Sequence, residues 1–373
     1  MQFTKLSREE LRALLLHHSK VDFYRDDSLL KHYREFSAVQ LDPLNPAGRN
    51  HDIFFLSRVK NYKLGQFETK LYEKKEVFEA YLPNLYALSM KYFPIFYARK
   101  QITGNERIGE FLRNHPEKPV EMVLKASEDL RQFTRVDFPE LAHPAMISTW
   151  KTNSLISTTL EYLWSKGELM VSGRTSNFNK IYSARDSFVP SKYNYPAELT
   201  EDQIEFLRFR IKLKSYPLIS LGKKRNNKYS KSKSIPRRWF TPQFQNVLPE
   251  EFQFAPILFY ESDGWVYASE KKPANPSYDG NIRALAPLDP IVWDRDMTER
   301  LFDFGYRWEV YTPKTKRIYG YYSYPLLQDD KILGRTEVST KEGKVQIFNL
   351  HSDVIKMEDL SDLEELWTSS ISS

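Results

Sequence analysis

The sequence predicts an α+β protein in which helical units carrying two-stranded hairpins are followed by a strand-rich C-terminal module. Three observations lead to this fold class. Capped helix patterns precede hairpin patterns in more than one place, as in winged helix-turn-helix domains. Closely spaced turn signals separate alternating strands after about residue 281. The chain has 373 residues, a length that allows two or three domains.

The first segment, residues 1–104, is predicted to be a winged-helix unit. Ser7 and Glu10 form a capping box that begins a helix. Residues 29–36 predict a second helix, and a third helix begins near Asn50 after a short apolar strand. The order helix, helix, strand, helix within some sixty residues is typical of a small helix-turn-helix unit.

The second segment, residues 105–195, shows the winged-helix pattern most clearly. A helix is predicted over residues 149–166, and Gly167 ends it as a C-cap. A hairpin follows over residues 168–183, with a polar and basic tip. A helix followed by such a wing is frequent in DNA-reading proteins, although the same fold also serves as a protein-interaction module.

The third segment, residues 196–280, is predicted to be another winged-helix unit that contains a basic loop. Thr200 and Gln203 form a capping box at the start of its helix, and a hairpin turns at Gly264. The fourth segment, residues 281–373, is predicted to be an antiparallel, barrel-like β-module ending in a short acidic helix. Its predicted extended segments cover residues 286–293, 308–312, 317–325, 331–338 and 344–350.

Positive charge is concentrated in one part of the chain. The whole sequence carries a net charge of +6, yet residues 208–238 alone contain twelve Lys or Arg, and residues 206–249 contain no Asp or Glu. A concentrated basic surface is typical of proteins that bind a polyanion such as DNA. A solvated loop is the alternative, because residues 222–233 are polar and turn-prone and predict a mobile segment.

Several kinds of chemistry are excluded by composition. The chain has no cysteine, so it has no disulfide, thiolate zinc site, iron–sulfur cluster or cysteine nucleophile. Neither a P-loop nor a Gly-x-Gly-x-x-Gly loop occurs, and the seven histidines include no pair spaced by four residues. We therefore expect no metal and no cofactor. With no signal-peptide core and no membrane-length apolar run, we expect a cytoplasmic protein.

The stretch 37–46 carries the residues best suited to metal-free acid–base chemistry. It begins like a buried strand and is stopped by Pro43 and Pro46. Gln40 and Asp42 lie two residues apart, so in an extended segment they point to the same face. Such an amide can orient a water molecule and such a carboxylate can accept its proton. On residue types alone, plain amphipathic patterning is the more frequent origin of such a pair.

Residues 40–45, with residues 49–52 and 56–59, resemble the Gln-apolar-Asp/Gln signature of the winged-helix DNA glycosylases typified by YcaQ and AlkZ. Other stretches are similar to the same family in the same order: residues 150–151, 160–174, 182–190, 288–295, 298–311, 319–322 and 334–335. The resemblance therefore covers most of the chain.

This resemblance implies three tandem winged-helix units bent into a C around a DNA channel, with a small β-barrel. It also implies hydrolysis of the N-glycosidic bond of alkylated purines, including interstrand crosslinks, without metal or cofactor. The Gln-apolar-Asp form is similar to the YcaQ branch, which acts on N7-alkylguanine and nitrogen-mustard crosslinks. On this basis Asp42 is expected to act as general base or electrostatic stabiliser and Gln40 to position the water.

The implied partner is double-stranded DNA that carries alkylated purines or crosslinks. The family resemblance further implies a monomer that associates with the nucleoid when bound to DNA. Basic residues expected to contact its phosphates are Arg49, Arg58, Arg174, Lys180, Lys223, Lys224, Arg225, Lys228, Arg237 and Arg238. Residues expected to shape the site are Asn45, His51, Tyr81 and Trp150.

The sequence departs from the family pattern after residues 77–79. The family commonly has an aromatic-Trp-x-His run there, whereas residues 80–86 contain neither Trp nor His. If that segment lines the site, the departure alters the range of substrates. The alternative to a glycosylase is a winged-helix DNA-binding regulator without catalysis, in which Gln40 and Asp42 are structural.

Overall fold

A computed structural model describes residues 3–22, 24–25, 28–102, 106–145, 153–225, 228–229, 236, 239, 241, 244, 248–252 and 254–371. The chain forms two compact units. The first consists of Met1–Phe67 and Phe209–Ser373, and the second of Glu68–Arg208. The division into four sequence segments stays a prediction.

Helices account for much of both units and begin where capping residues predict. The Ser7 hydroxyl accepts from the Glu10 amide at 3.1 Å and the Glu10 carboxylate accepts from the Ser7 amide at 2.7 Å, which confirms the first capping box. Gly167 ends its helix with a φ of 81°, as a left-handed C-cap requires. The described helices are Arg8–His18, Leu29–Phe36, Asn50–Leu56, Phe93–Ile102, Glu106–Arg113, Pro119–Asp129, Leu155–Lys166, Arg185–Phe188, Glu201–Ser215, Arg295–Phe302 and Ser361–Ser370.

The first unit contains a five-stranded sheet. Its strands are β1 (Thr4–Lys5), β7 (Ile219–Arg225), β8 (Lys228–Tyr229), β9 (Leu258–Ser262) and β10 (Trp265–Ser269), and their order across the sheet is β1-β9-β10-β7-β8. The β1–β9 pair is parallel and the other pairs are antiparallel. One core joins this sheet to two helices, because Leu14, Leu15, Tyr260, Tyr267 and Leu301 are buried together.

The mobile loop predicted over residues 222–233 is wrong for its described portions. Gly222 and Lys223 pair with Val266 and Trp265, and Arg225 pairs with Lys228 across a tight hairpin. Sheet ladders are made by backbone groups, so a run of polar side chains extends a strand when a neighbouring strand edge is free to pair with it.

The C-terminal module of the first unit is a curled antiparallel half-barrel. Its strands are β11 (Ile282–Ala284), β12 (Ser323–Gln328), β13 (Lys331–Lys341) and β14 (Lys344–His351), and they pair in the order β11-β12-β13-β14. The α+β class and the antiparallel C-terminal module are thereby confirmed.

Three extended segments predicted in this module are wrong, one of them only in part, because residues 323–325 of the segment 317–325 do lie in β12. Residues 308–312 and 317–322 form bends around a short 3-10 turn, Lys314–Lys316. The carboxylates of Glu309 and Glu337 accept the backbone N–H groups of residues 318, 319, 321 and 322, which a strand would use for its ladder. Residues 286–293 form turns instead of an extended segment, with hydrogen bonds such as Trp293 N–H to Asp289 O at 2.8 Å.

The second unit contains two hairpins, β3 (Val77–Tyr81) with β4 (Leu85–Ser89), and β5 (Leu169–Arg174) with β6 (Lys180–Ala184). The β5–β6 hairpin directly follows the helix Leu155–Lys166, as the helix-and-wing pattern predicts. That each segment is a winged-helix unit stays a prediction. Over the described ranges, no helix has the length and hydrophobicity needed to cross a membrane.

Candidate active site around Gln40 and Asp42

The site begins where the helix Leu29–Phe36 turns into the short strand β2 (Ala38–Gln40). Ser37 makes this turn with a left-handed φ of 65°, and its amide donates to Tyr33 O at 2.8 Å. Gln40 ends the strand and is buried. Asp42 is half-buried, and its Oδ1 accepts from the Leu44 amide at 2.9 Å. The turn bounded by Pro43 and Pro46 thus holds the Asp42 carboxylate just after the end of the strand that contains Gln40.

A buried asparagine fixes the backbone of Gln40. The Asn50 Nδ2 group donates to Gln40 O at 3.0 Å, and Asn50 Oδ1 accepts from the Leu288 amide at 3.1 Å. Asn50 is itself buried, so both bonds are shielded from water. The first residue of the helix Asn50–Leu56 therefore links Gln40 to the 286–293 turns.

A buried ion pair reinforces the same connection. The guanidinium of Arg58 lies 2.8 Å from the Asp289 carboxylate, and both side chains are fully buried. Arg58 also donates to Ser19 O at 2.7 Å and to Phe54 O at 2.9 Å. Burial lowers the pKa of Arg58, and the charge of Asp289 acts against that shift. The expected contact of Arg58 with a DNA phosphate is therefore wrong, because the guanidinium is directed into the protein.

Asp42 is electrostatically unlike several other acids of the chain. Burial raises the pKa of Asp42, although the Leu44 N–H bond and the nearby His51 act in the opposite direction. Hydrogen bonds from neighbouring side chains instead lower the pKa of Glu106 and of Asp186. A carboxylate whose pKa moves towards neutrality is better suited to take a proton from water.

The raised pKa gives a stability prediction for Asp42→Asn. The folded state binds the Asp42 proton more tightly than the unfolded chain does, so the charged side chain costs stability at neutral pH. Asn can still accept the Leu44 N–H bond. We expect the melting temperature of Asp42→Asn to exceed that of wild type at pH 7, and the difference to vanish below about pH 4, the ordinary aspartate range. A variant less stable than wild type at pH 7 would show that the carboxylate is structural.

The remaining residues expected near the site have distinct positions. Asn45 is exposed, and its Oδ1 accepts from the Gly48 amide at 2.9 Å, so it forms the turn before the next helix. His51 is fully buried with its ring 5.0 Å from that of Phe67. Asp52 accepts from the Tyr62 hydroxyl at 2.8 Å and the Gly65 amide at 2.9 Å, which makes it a structural acid. Arg49 is half-buried before the helix Asn50–Leu56.

Two basic residues of the predicted wing are already paired with acids of the second unit. The Arg174 guanidinium binds the buried Glu79 carboxylate and lies over the Phe178 ring at 4.4 Å. The Lys180 ammonium lies 2.6 Å from Glu161 and 3.7 Å from the centre of the Trp164 ring. A phosphate contact stays a prediction for both residues, and it would require Arg174 to leave Glu79 and Lys180 to leave Glu161.

The remaining residues expected to shape the site or contact DNA include exposed residues, strand residues and residues outside the described ranges. Tyr81 is exposed with its ring 5.7 Å from that of Trp164, and it belongs to the hairpin β3–β4, which contains the departing residues 80–86. Lys223 is exposed, as a phosphate contact requires. Lys224, Arg225 and Lys228 occupy strand positions in β7 and β8. Trp150, Arg237 and Arg238 lie outside the described residues.

Sequence reasoning missed three residues that support the site. Asn50 and Asp289 are far apart in the sequence yet bind the same region, through Gln40 and Arg58. Tyr322 is buried, and the negative charge of Asp42 contributes, after burial and Tyr324, to raising its pKa. The signal available in the sequence was the family-like stretches 288–295 and 319–322, which contain Asp289 and Tyr322.

The comparison with protein families decides the family of the chain. A family model described as "DNA glycosylase AlkZ-like" matches residues 34–365, a range that contains Gln40, Asp42, Asn50, Asp289 and Tyr322. The chain belongs to the AlkZ-like DNA glycosylase family. The resemblance seen in residues 40–45 is thereby confirmed at the level of the family, and the family supports a role as a DNA glycosylase in DNA repair.

A solved structure agrees with this AlkZ-like assignment. The Streptomyces sahachiroi DNA glycosylase AlkZ is similar to this chain with a TM-score of 0.56 and 14% sequence identity. The similarity covers 99% of this chain and 98% of that chain. At this identity the match shows a shared fold over the full length.

Proposed function

We propose that the chain hydrolyses the N-glycosidic bond of N7-alkylated purines in double-stranded DNA, with Gln40 positioning a water molecule and Asp42 activating it. The observation that carries the proposal is the half-buried Asp42 carboxylate with a raised pKa, two residues from Gln40 in the matched family region. Glu79, Asp52 and Asp289 are engaged by internal donors instead.

The chemistry requires little beyond these two side chains. An N7-alkylated purine is cationic, so when the C1′–N9 bond breaks its electron pair neutralises the departing base. The sugar develops positive charge, which the Asp42 carboxylate stabilises. Water oriented by the Gln40 amide attacks C1′, and its proton passes to Asp42. The products are a free purine and an abasic sugar, as in a monofunctional and metal-independent glycosylase.

Crosslinked purines are proposed as further substrates. A base that is covalently joined to the opposite strand cannot be extruded freely into a deep pocket. Asp42 is only half-buried and lies on a turn. A carboxylate placed in this way can approach C1′ without complete rotation of the base.

The test is the release of free 7-methylguanine from a methylated duplex by the full chain, in EDTA, measured by mass spectrometry across pH. A protonated Asp42 can no longer act as the general base. The rate of 7-methylguanine release is therefore expected to fall at acid pH, with a midpoint above the ordinary aspartate pKa of about 4. Duplex without protein gives the spontaneous rate. No release above that rate would contradict the proposal and favour a non-catalytic winged-helix DNA-binding protein.

A further inference from the structure

An exposed loop of the first unit has the composition of a nucleic-acid contact. We name residues 311–321 the tyrosine loop. Tyr311 is 86% exposed, Ile318 68% and Tyr321 39%. Large hydrophobic side chains that are exposed together on one short segment often indicate an interaction surface, whereas single exposed ones do not.

The loop is held rigidly in spite of this exposure. Glu309 Oε2 accepts from the amides of Ile318 at 2.9 Å and Tyr319 at 2.6 Å. Glu337 Oε1 accepts from the amides of Tyr321 at 2.6 Å and Tyr322 at 3.2 Å. Gly320 has a φ of +97°, and a Cβ there would lie 2.1 Å from the Glu337 carboxylate. The exposed side chains therefore stand on a preorganised backbone, which lowers the entropy lost on binding.

The charge of the loop matches a polyanion. Lys314, Lys316 and Arg317 are its charged residues, and no Asp or Glu occurs from residue 310 to residue 328. Among the residues that the structure describes, neither Lys314 nor Lys316 has an acidic partner. Arg317 donates to Thr312 O at 2.9 Å and its guanidinium lies 4.8 Å from the Tyr321 ring centre. Two lysines thus remain available for phosphates.

Ring contacts link the loop to Tyr322, a buried residue that is influenced by the charge of Asp42. Trp308 contacts the exposed Tyr311 at a ring separation of 6.1 Å and the buried Tyr322 at 5.5 Å. Tyr322 directly follows the loop and lies within reach of the Asp42 charge, which adds to burial in raising its pKa. One aromatic cluster therefore connects the exposed surface to the surroundings of Asp42.

We propose that the tyrosine loop contacts the DNA duplex beside the alkylated base, with Lys314 and Lys316 at phosphates and Tyr311 and Ile318 packed against base or sugar faces. Apolar and aromatic side chains inserted at a base step partly unstack it. Unstacking next to the lesion exposes C1′ to Asp42 without full extrusion of the base. This inference rests on the proposed function for its location and on the loop for its chemistry.

The test measures binding to a 20-base-pair fluorescein-labelled duplex. The duplex contains 7-methylguanine on a 2′-fluoro sugar, which resists hydrolysis, and 2-aminopurine at the neighbouring position. For Tyr311→Ala with Ile318→Ala we expect Kd to rise by about 10-fold, since stacking on one base contributes roughly 1–3 kcal/mol, and the rise of 2-aminopurine fluorescence to be lost. For Lys314→Gln with Lys316→Gln we expect the slope of log K against log salt to fall by about 2, from two lost phosphate contacts.

The matched control is Val354→Ala with Lys356→Gln. Val354 is 73% exposed and Lys356 is also exposed, but this segment is acidic. We expect wild-type affinity and salt slope from the control, with circular dichroism confirming that all variants fold. Wild-type binding by both loop variants would overturn the proposal, as would an equal loss in the control, or loop-dependent binding of an acidic protein partner in place of DNA.

Failure of the two proposals can be told apart. If wild type binds the duplex through the loop but releases no 7-methylguanine from a hydrolysable duplex, the glycosylase mechanism fails and the loop proposal holds. If wild type releases the base and the loop variants bind and release as wild type does, the loop proposal fails and the mechanism holds.

Discussion

Replacing Asp42 by Asn is expected to lower the single-turnover rate of 7-methylguanine release by about 10²–10⁴-fold, the range associated with loss of a positioned general base. Asn keeps the size of the side chain and the hydrogen bond from the Leu44 amide, whose donor lies 2.9 Å from Oδ1 in the wild type. The change therefore removes the charge and the proton acceptor while the turn is retained. Duplex affinity is expected to stay within about 3-fold of wild type, since no phosphate contact is lost.

Gln40→Ala provides the companion measurement. The Asn50 bond is made to the Gln40 backbone carbonyl, so truncation of the side chain leaves that bond intact. We expect a smaller loss of rate than for Asp42→Asn, because the amide orients the water but does not take its proton. If Gln40→Ala released base as fast as wild type, the amide would have no part in the reaction.

Arg58→Met is expected to reduce the free energy of unfolding by about 3–5 kcal/mol, because it leaves the Asp289 carboxylate buried without its partner. Both side chains are fully buried and lie 2.8 Å apart. Urea denaturation measures the change. The matched control is Arg8→Met, which breaks a largely exposed pair with Asp263 and is expected to cost far less stability than Arg58→Met.

Arg58→Met combined with Asp289→Leu is expected to recover part of the loss, since neither charge is then left unpaired. If Arg58→Met cost no more than Arg8→Met, the ion pair would not be the connection that holds the 286–293 turns. Leu288 donates to Asn50, which in turn binds Gln40. Arg58→Met is therefore also expected to lower the rate of base release.

Local rules predicted much of the secondary structure. Helix ends marked by capping residues depend on contacts within a few residues and could be recognised directly. Examples are the helix start after Ser7, capped by a side chain, and the helix end at Gly167, capped by its left-handed backbone. The bends at 308–322 could not, because they depend on Glu309 and on the distant Glu337 taking backbone donors from a strand-like sequence. When side-chain carboxylates accept the backbone N–H groups that a strand would use, the local sequence gives no sign of it.

In the candidate site, too, some residues could be recognised from the local sequence and others only from the fold. Gln40 and Asp42 could be identified from one short motif. The partners of basic residues could not, because the ion pairs of Arg58 with Asp289 and Arg174 with Glu79 join positions 231 and 95 residues apart. Arg58 lies in the family-like stretch 56–59, but only the fold shows that its charge is buried inside the protein and not directed to DNA.

The proposed role of Asp42 in activating water can be tested by comparing wild type with Asp42→Asn side by side. Both proteins are saturated with the same hydrolysable 7-methylguanine duplex at pH 7 in EDTA, and the free purine is quantified over time. We expect release by wild type and a rate at least about 100-fold lower for Asp42→Asn at equal duplex occupancy. Equal rates for the two proteins, or no release by wild type above the spontaneous rate, would contradict it.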